Sequence, residues 1–303
     1  MGVKHETRSF YEDAVRRALT VITASLDEAL DLAVLAKQAA LSPLHFHHVF
    51  RGMVGETPLE LHRRLRLERA ALQLAGSDVA VTTVDFDAGY ETHESFTRAF
   101  RRAYAQSPSE LRARAREARD QCERPPQLEL AARCGLHYAR PDFTLTPGAL
   151  TMNATIETMP EMKVATVHHV GPYNQIGEAF ARLGPLAGGL IGAPGTMMVG
   201  IYHDDPETVP AAELRSDAGL VVPPTAKVPA GLDTTTIPAG RYAKAIHKGP
   251  YERLGDAWAQ LMGVWIPQHD ERIGGGVSFE VYRNTPMDAK PDELVTELYV
   301  PLK

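Results

Sequence analysis

The chain has 303 residues, 44% hydrophobic and 23% charged, which suits a folded protein of two domains, each with its own core, and excludes wholesale disorder. The formal net charge of -6 divides unevenly: residues 1–124 hold 18 Lys and Arg against 18 Asp and Glu, whereas residues 125–303 hold 14 against 20. Residues 1–10 have no apolar run, no window offers the roughly eighteen consecutive apolar residues of a spanning helix, and the two cysteines, Cys122 and Cys134, fit a reducing compartment, so a cytoplasmic protein with no membrane partner is expected.

A first helix is predicted from about Tyr11 to Thr23. Next come a short apolar helix and a small-residue corner over Leu35–Leu41, and then a helix with two faces. Phe46, Val49, Phe50 and Met53 form its apolar face, and Leu44, His47, His48 and Arg51 its outer one. Thr57 is placed as an N-cap with Pro58 at the first helical position, opening a long helix to about Ala75 with a seam of Leu61, Leu65 and Leu72.

Fifty residues on, the pattern repeats. A corner over Val84–Tyr90 leads into a helix with Phe96, Ala99, Phe100 and Ala103 on one face and Glu94, Thr97, Arg98 and Arg101 on the other. A turn at Ser107-Pro108 and an Arg-rich helix close the region. A helix, a tight turn and a second helix set across it form the helix-turn-helix unit, which delivers its second helix into a DNA major groove. Two units predict a chain that reads DNA twice. Residues 98–119 carry seven arginines, Arg102 among them, against Glu110 and Glu117, a local cluster able to neutralise phosphates although the region sums to zero.

Residues 120–154 read as a linker, with Pro125-Pro126, Pro141, Pro147-Gly148 and a short helix near 127–134. Cys134-Gly-Leu-His137 has no matching second pair, so no metal or cofactor is expected. The remainder contains its own duplication. Val167-His168-His169-Val170-Gly171-Pro172-Tyr173 is echoed 78 residues later by Ala245-Ile246-His247-Lys248-Gly249-Pro250-Tyr251, followed by Gly177 with Gly255, Phe180 with Trp258 and Leu183 with Leu261. Each copy reads as a strand, a helix started by Gly-Pro, and two further strands, at about 197–203 and 217–223 in the first and 277–283 and 295–301 in the second. The expected fold is an all-α domain over residues 1–119, with two helix-turn-helix units joined by a long helix, and an α+β domain over 155–303, with two β-α-β-β repeats about a pseudo-twofold.

The string Ala88-Gly89-Tyr90-Glu91-Thr92-His93-Glu94-Ser95-Phe96-Thr97-Arg98-Ala99-Phe100-Arg101-Arg102, with Ser107-Pro108 after it, resembles the AraC/XylS family of bacterial transcription regulators over about residues 8–116. The resemblance implies base contacts from Leu44, His47 and His48 in the first reading helix and from His93, Glu94, Thr97 and Arg98 in the second. Arg98 suits guanine, Glu94 cytosine and Leu44 a thymine methyl, while His47 and His48 fit bases, phosphates or plain surface. Two departures stand out: Asp85 replaces a small residue, and Ala105 replaces the glycine that Gly55 supplies in the first unit. Asp85 is expected to be exposed or hydrogen-bonded.

Residues 155–303 resemble GyrI-like small-molecule-binding domains through the paired Gly-Pro-Tyr motifs, Phe279-Glu280-Val281-Tyr282 and Thr296-Glu297-Leu298-Tyr299-Val300-Pro301. That resemblance implies a bulky, often cationic aromatic effector, with Glu297 as the acidic candidate and Glu280, Tyr251, Trp258, Tyr282, Tyr299 and Tyr173 as lining. The implied protein is not an enzyme. It is a regulator, monomeric or dimeric, whose partners are promoter DNA, the effector and RNA polymerase. A hydrolase acting on reactive aromatic compounds and a drug-sequestering module governing its own synthesis remain as alternatives.

Overall fold

A computed structural model of the chain describes residues 4–120 and 152–303. The short helix near 127–134, Cys122 and the Cys134/His137 pair lie outside the described residues. The N-terminal region is helical: α1 (Lys4–Ala24), α2 (Leu32–Gln38), α3 (Pro43–Val54), α4 (Pro58–Gly76), α5 (Val81–Asp87), α6 (His93–Tyr104) and α7 (Pro108–Asp120). No described helix is long and apolar enough to cross a membrane.

Compactness does not follow chain order. One compact unit contains Met1–Ala18, Leu32–Thr57 and Leu145–Lys303, and the other Leu19–Asp31 and Pro58–Thr144. The first helix-turn-helix, α2 and α3, therefore groups with the C-terminal strands, and the second, α5 and α6, groups with α4 and α7.

In the second unit, Leu67, Ala70, Ala71 and Leu74 of α4 pack with Val84, Phe96, Phe100, Leu111 and Ala115 in one buried cluster. The expected apolar face of α6 lies inside it through Phe96 and Phe100, while Ala103 is exposed. Local signals set the helix ends. Thr92 accepts from the Ser95 amide at 3.2 Å to cap α6. Before α7, Ser107 and Glu110 close a reciprocal capping box, with the Ser107 amide donating to Glu110 at 2.6 Å and the Glu110 amide donating to Ser107 Oγ at 3.2 Å. Ala105 ends α6 in the left-handed region at φ 55°, the conformation Gly55 takes at φ 91° after α3.

The first unit holds one eight-stranded sheet, with β1 (Ala154–Met159), β2 (Met162–Val170), β3 (Met197–Tyr202), β4 (Arg215–Val222), β5 (Asp233–Ile237), β6 (Gly240–Lys248), β7 (Phe279–Tyr282) and β8 (Val295–Pro301). Its order is β1-β6-β8-β7-β3-β4-β2-β5, every neighbouring pair antiparallel. Strands β1 and β5 were not expected: each is rich in threonine and largely exposed, and so lacks a clear buried alternation.

Two helical segments follow the Gly-Pro-Tyr motifs. The first is α8 (Gly177–Ala187); the second is α9 (Leu254–Gln260), which runs on through a π-helical turn at Leu261–Trp265 into Ile266–Gln268. The sheet buries side chains on both faces. On one, Val164, Val199, Ile201, Val221, Tyr242, Phe279, Val281 and Tyr299 cluster; on the other, Ala165, Val167, Ala218 and Leu220 pack with Ala179 and Leu183 of α8.

Candidate DNA-reading helices and effector site

The outer face of α6 stands open. His93, Glu94, Arg98, Arg101 and Arg102 are exposed and Thr97 is half-buried. Asp85 is buried and hydrogen-bonded as required: its Oδ2 lies 2.7 Å from His93 Nδ1, and His93 Nε2 lies 3.4 Å from Thr97 Oγ1. The acidic departure in the helix-turn-helix corner therefore orients one of the candidate base readers. Arg98 and Glu94 lie 3.5 Å apart on the surface, a pairing of little strength that a base or phosphate easily replaces.

The outer face of α3 is covered. Ser42 caps the helix by accepting from the His45 amide at 3.3 Å, with Pro43 following at the first helical position. Its apolar residues Phe46, Val49, Phe50 and Met53 are buried as expected, but His47 is buried too, and Leu44, His48 and Arg51 are only partly exposed. His47 Nδ1 lies 3.2 Å from Asp205 Oδ1 and 3.5 Å from Glu207 Oε2, in ion-pair and not hydrogen-bond geometry. Glu207 also accepts from the Thr57 hydroxyl, and Arg51 Nη2 lies 2.5 Å from Asp256 Oδ1. The His48 ring stacks on Trp258 with centroids 6.0 Å apart, and buried His45 shares a 3.0 Å hydrogen bond with Ser278 Oγ.

Titration follows from this enclosure. Burial works against a charge on His47, but Asp205 and Glu207 more than offset it and raise its pKa from 6.5 to about 9. Burial lowers His45 to about 4, and burial with neighbouring His47, His45 and Arg51 drives His48 well below 6.5.

The backbones also meet. A Cβ on Gly52 would lie 2.0 Å from the Ala259 carbonyl oxygen, and one on Gly263 would lie 2.7 Å from both Gly52 Cα and the Val49 carbonyl oxygen. Only paired glycines allow α3 and the π-helical turn to approach so closely. Sequence reasoning missed Gly52, Gly263, Asp205, Glu207 and Asp256, since they lie on a contact between segments some 150 to 210 residues apart in the chain.

The proposed effector residues divide between the two faces of the sheet. Register places Val281 opposite Glu297 and Phe279 opposite Tyr299, so Glu297 and Tyr299 share one face, while Glu280 and Tyr282 point to the other. Glu280 is 3% exposed and accepts from Trp258 Nε1 at 2.8 Å and from Tyr282 OH at 2.6 Å. Tyr282 in turn shares a 2.8 Å hydrogen bond with Tyr202. Phe180 and Tyr251 stand edge-on to the Tyr282 ring with centroids 5.5 and 5.6 Å away, and Tyr173 packs on Tyr202 at 4.8 Å. Gly200, directly opposite Glu280 across β3 and β7, makes room for this cluster, because a Cβ there would lie 2.7 Å from Tyr282 OH. Burial raises the Glu280 pKa above the ordinary carboxylate value, with its neutral donors Tyr282, Trp258 and Tyr202 pulling the other way.

Glu297 is differently placed. Arg283 Nη2 lies 2.7 Å away, Lys244 Nζ 3.3 Å away, and Tyr299 OH donates to it at 2.9 Å. Burial opposes its charge, but Arg283, Tyr299 and Lys244 outweigh burial and hold its pKa below the ordinary carboxylate value. Tyr173 braces a loop, since its hydroxyl donates to the Asp204 carbonyl at 2.7 Å and accepts from the Asp204 amide at 2.9 Å. Tyr202, Phe180 and Gly200 complete the Glu280 cluster; Tyr202 carries a sequence signal, since it lies 80 residues before Tyr282.

Over residues 152–303 the chain matches the GyrI-like small molecule binding domain, and over residues 35–114 a helix-turn-helix domain. It is 34% identical over 136 residues to a DNA gyrase inhibitor from Yersinia enterocolitica, a match covering 43% of this chain and 84% of that protein. It is 32% identical over 103 residues to the arabinose operon regulatory protein of Escherichia coli, covering 34% of this chain and 35% of that one. EcmrR, in a cryo-EM structure of its DNA complex, matches over 90% of this chain and 98% of its own at 16% identity, with a TM-score of 0.41.

Proposed function

We infer that this chain, which belongs to the GyrI-like small-molecule-binding family and carries an AraC-type helix-turn-helix domain, is a one-component transcription regulator in which an effector in the C-terminal domain controls DNA binding. Its partners are double-stranded promoter DNA, read by α3 and α6, and RNA polymerase acting at the same promoter. Because one chain carries both readers, a monomer suffices for a site of two successive major-groove windows, with a dissociation constant of about 10⁻⁸ M that weakens steeply with salt.

The effector reading rests on Glu280. A buried carboxylate whose hydrogen-bond donors are neutral, ringed by Trp258, Tyr282, Tyr251, Tyr202 and Phe180, suits a lipophilic aromatic cation. Such a cation supplies the charge the site lacks, while aromatic faces replace its hydration. Glu297 already has Arg283 and Lys244, so its proposed role is structural. We also read the two halves of the sheet as a pseudo-twofold pair: β2-β4-β3 mirrors β6-β8-β7 in strand order, and His169 and His247 contact the carbonyls of Pro172 and Pro250 at 3.3 and 3.2 Å.

The test is a titration with tetraphenylphosphonium followed by tryptophan fluorescence, since Trp258 holds Glu280 directly. Saturable quenching, lost in Glu280→Gln and kept in Glu297→Gln, is expected; loss only in Glu297→Gln would refute the assignment. A hydrolase reading draws on the same cluster, because a carboxyl group with a raised pKa beside Tyr282 is suited to acid/base work. Turnover of a reactive aromatic substrate, abolished by Glu280→Gln, would favour it.

A further inference from the structure

For α3 to read DNA, its outer face must reach base edges, and that face is already occupied. We propose that the C-terminal domain is an intramolecular mask for this helix, with Asp205, Glu207 and Asp256 standing where DNA phosphates would and the Trp258–Glu280 hydrogen bond tying the mask to the Glu280 cluster. The proposal rests on α3 being a DNA reader and on Glu280 being the effector carboxylate.

Three observations carry it. The covered residues are those expected to meet DNA: His47 lies between two carboxylates, Arg51 pairs with a third, and His48 lies on an indole. An acidic surface that pairs with basic side chains competes with DNA for them by the same electrostatics. The contact is also fitted at backbone level, since Gly52 and Gly263 cross where a Cβ on either would collide with main chain.

Finally, the close helix crossing belongs to the second half of the domain, while Asp205 and Glu207 come from the loop after β3 in the first. A Cβ on Gly255 of α9 would lie 3.3 Å from Arg51, whereas Gly177 and Gly184 on α8 have open space around them, and Pro185 occupies the place 78 residues before Gly263.

Trp258 joins the two sites. Its ring stacks on His48 and its Nε1 donates to Glu280, so a cation that takes up the Glu280 carboxylate removes the acceptor that fixes the ring. Mask and DNA exclude each other on α3, so apparent DNA affinity scales with the unmasked fraction, and an effector that favours the unmasked state tightens DNA binding.

The experiment compares the full-length protein with Gly263→Ala by amide hydrogen exchange over residues 43–54 and by binding to DNA from upstream of its own coding sequence, each with and without tetraphenylphosphonium. The wild type is expected to protect 43–54 and to lose that protection with the cation. Gly263→Ala is expected to exchange there at least about tenfold faster, to bind DNA about tenfold tighter, and to ignore the cation. Fast exchange of 43–54 in the wild type would overturn the proposal, as would faster exchange in Gly263→Ala with no gain in DNA affinity. If neither protein binds DNA while 43–54 remains protected, it is the DNA-reading assignment that fails. Should Gly263→Ala not fold, Asp205→Asn with Glu207→Gln, outside the Glu280 cluster, makes the same test.

Discussion

Docking of α3 should depend on pH, and the sign follows from three histidines. His47 rises from 6.5 to about 9 when enclosed by Asp205 and Glu207, so its contribution is fully present below pH 6.5 and is lost as pH climbs through 9. At about 1.4 kcal/mol per pKa unit this amounts to about 3 kcal/mol, an upper bound because the two carboxylates lose hydration in the same contact. His45, lowered to about 4, and His48, lowered well below 6.5, act in the opposite sense. They favour docking above pH 6.5 and oppose it as pH falls below. The other charged pair on the contact is Arg51 with Asp256. Docking is therefore strongest near pH 6.5. Hydrogen exchange over residues 43–54, corrected for intrinsic rates, should show maximal protection there and lose up to about tenfold per pH unit towards 9. His47→Gln should flatten the alkaline limb and leave the acid limb. A wild-type profile flat between pH 6.5 and 9 would refute the argument.

Two further outcomes follow from the second unit. Arg98, 74% exposed on the open face of α6, should lose about 1–3 kcal/mol of binding when replaced by alanine and relax one base position in a binding-site selection, whereas uniform weakening on all sequences would make it a phosphate contact. Ala105→Gly should stabilise the protein by about 1 kcal/mol in thermal unfolding, because φ 55° disfavours a side chain, with DNA affinity unchanged; a loss of stability would refute the strain at that turn.

The helix-turn-helix units were legible because a 3.6-residue apolar repeat registers in sequence whatever packs against it, and Phe46, Phe50, Phe96 and Phe100 are all buried. The candidate effector residues were half legible. Alternation tells which residues of one strand share a face, but not which face carries the aromatic cluster, so motif position alone ranked Glu297 above Glu280, whereas the register sets Glu280 on the face of Tyr282 and Glu297 on the other. The enclosure of His47 was not legible at all. Nothing near it in sequence reports Asp205 or Glu207, and a histidine on the outer face of an amphipathic helix reads as solvent-facing.

The two copies of each duplication differ at the residues of this contact. At an offset of fifty, His48 stands opposite Arg98 and Gly52 opposite Arg102. An arginine at the crossing point would place a long charged side chain where the Gly52 backbone meets Gly263, so only the first reading helix fits beneath the mask. In the C-terminal half, Gly263 lies 78 residues after Pro185, and Glu280 lies 80 residues after Gly200. The half that carries the buried carboxylate also carries the glycine that receives α3, and Trp258 lies between them. The coupled device therefore predicts that restoring a side chain at Gly263 uncouples the effector from DNA without touching Glu280, and that Glu280→Gln, which keeps an amide oxygen to accept from Trp258, abolishes the effector response without opening the Gly52–Gly263 crossing.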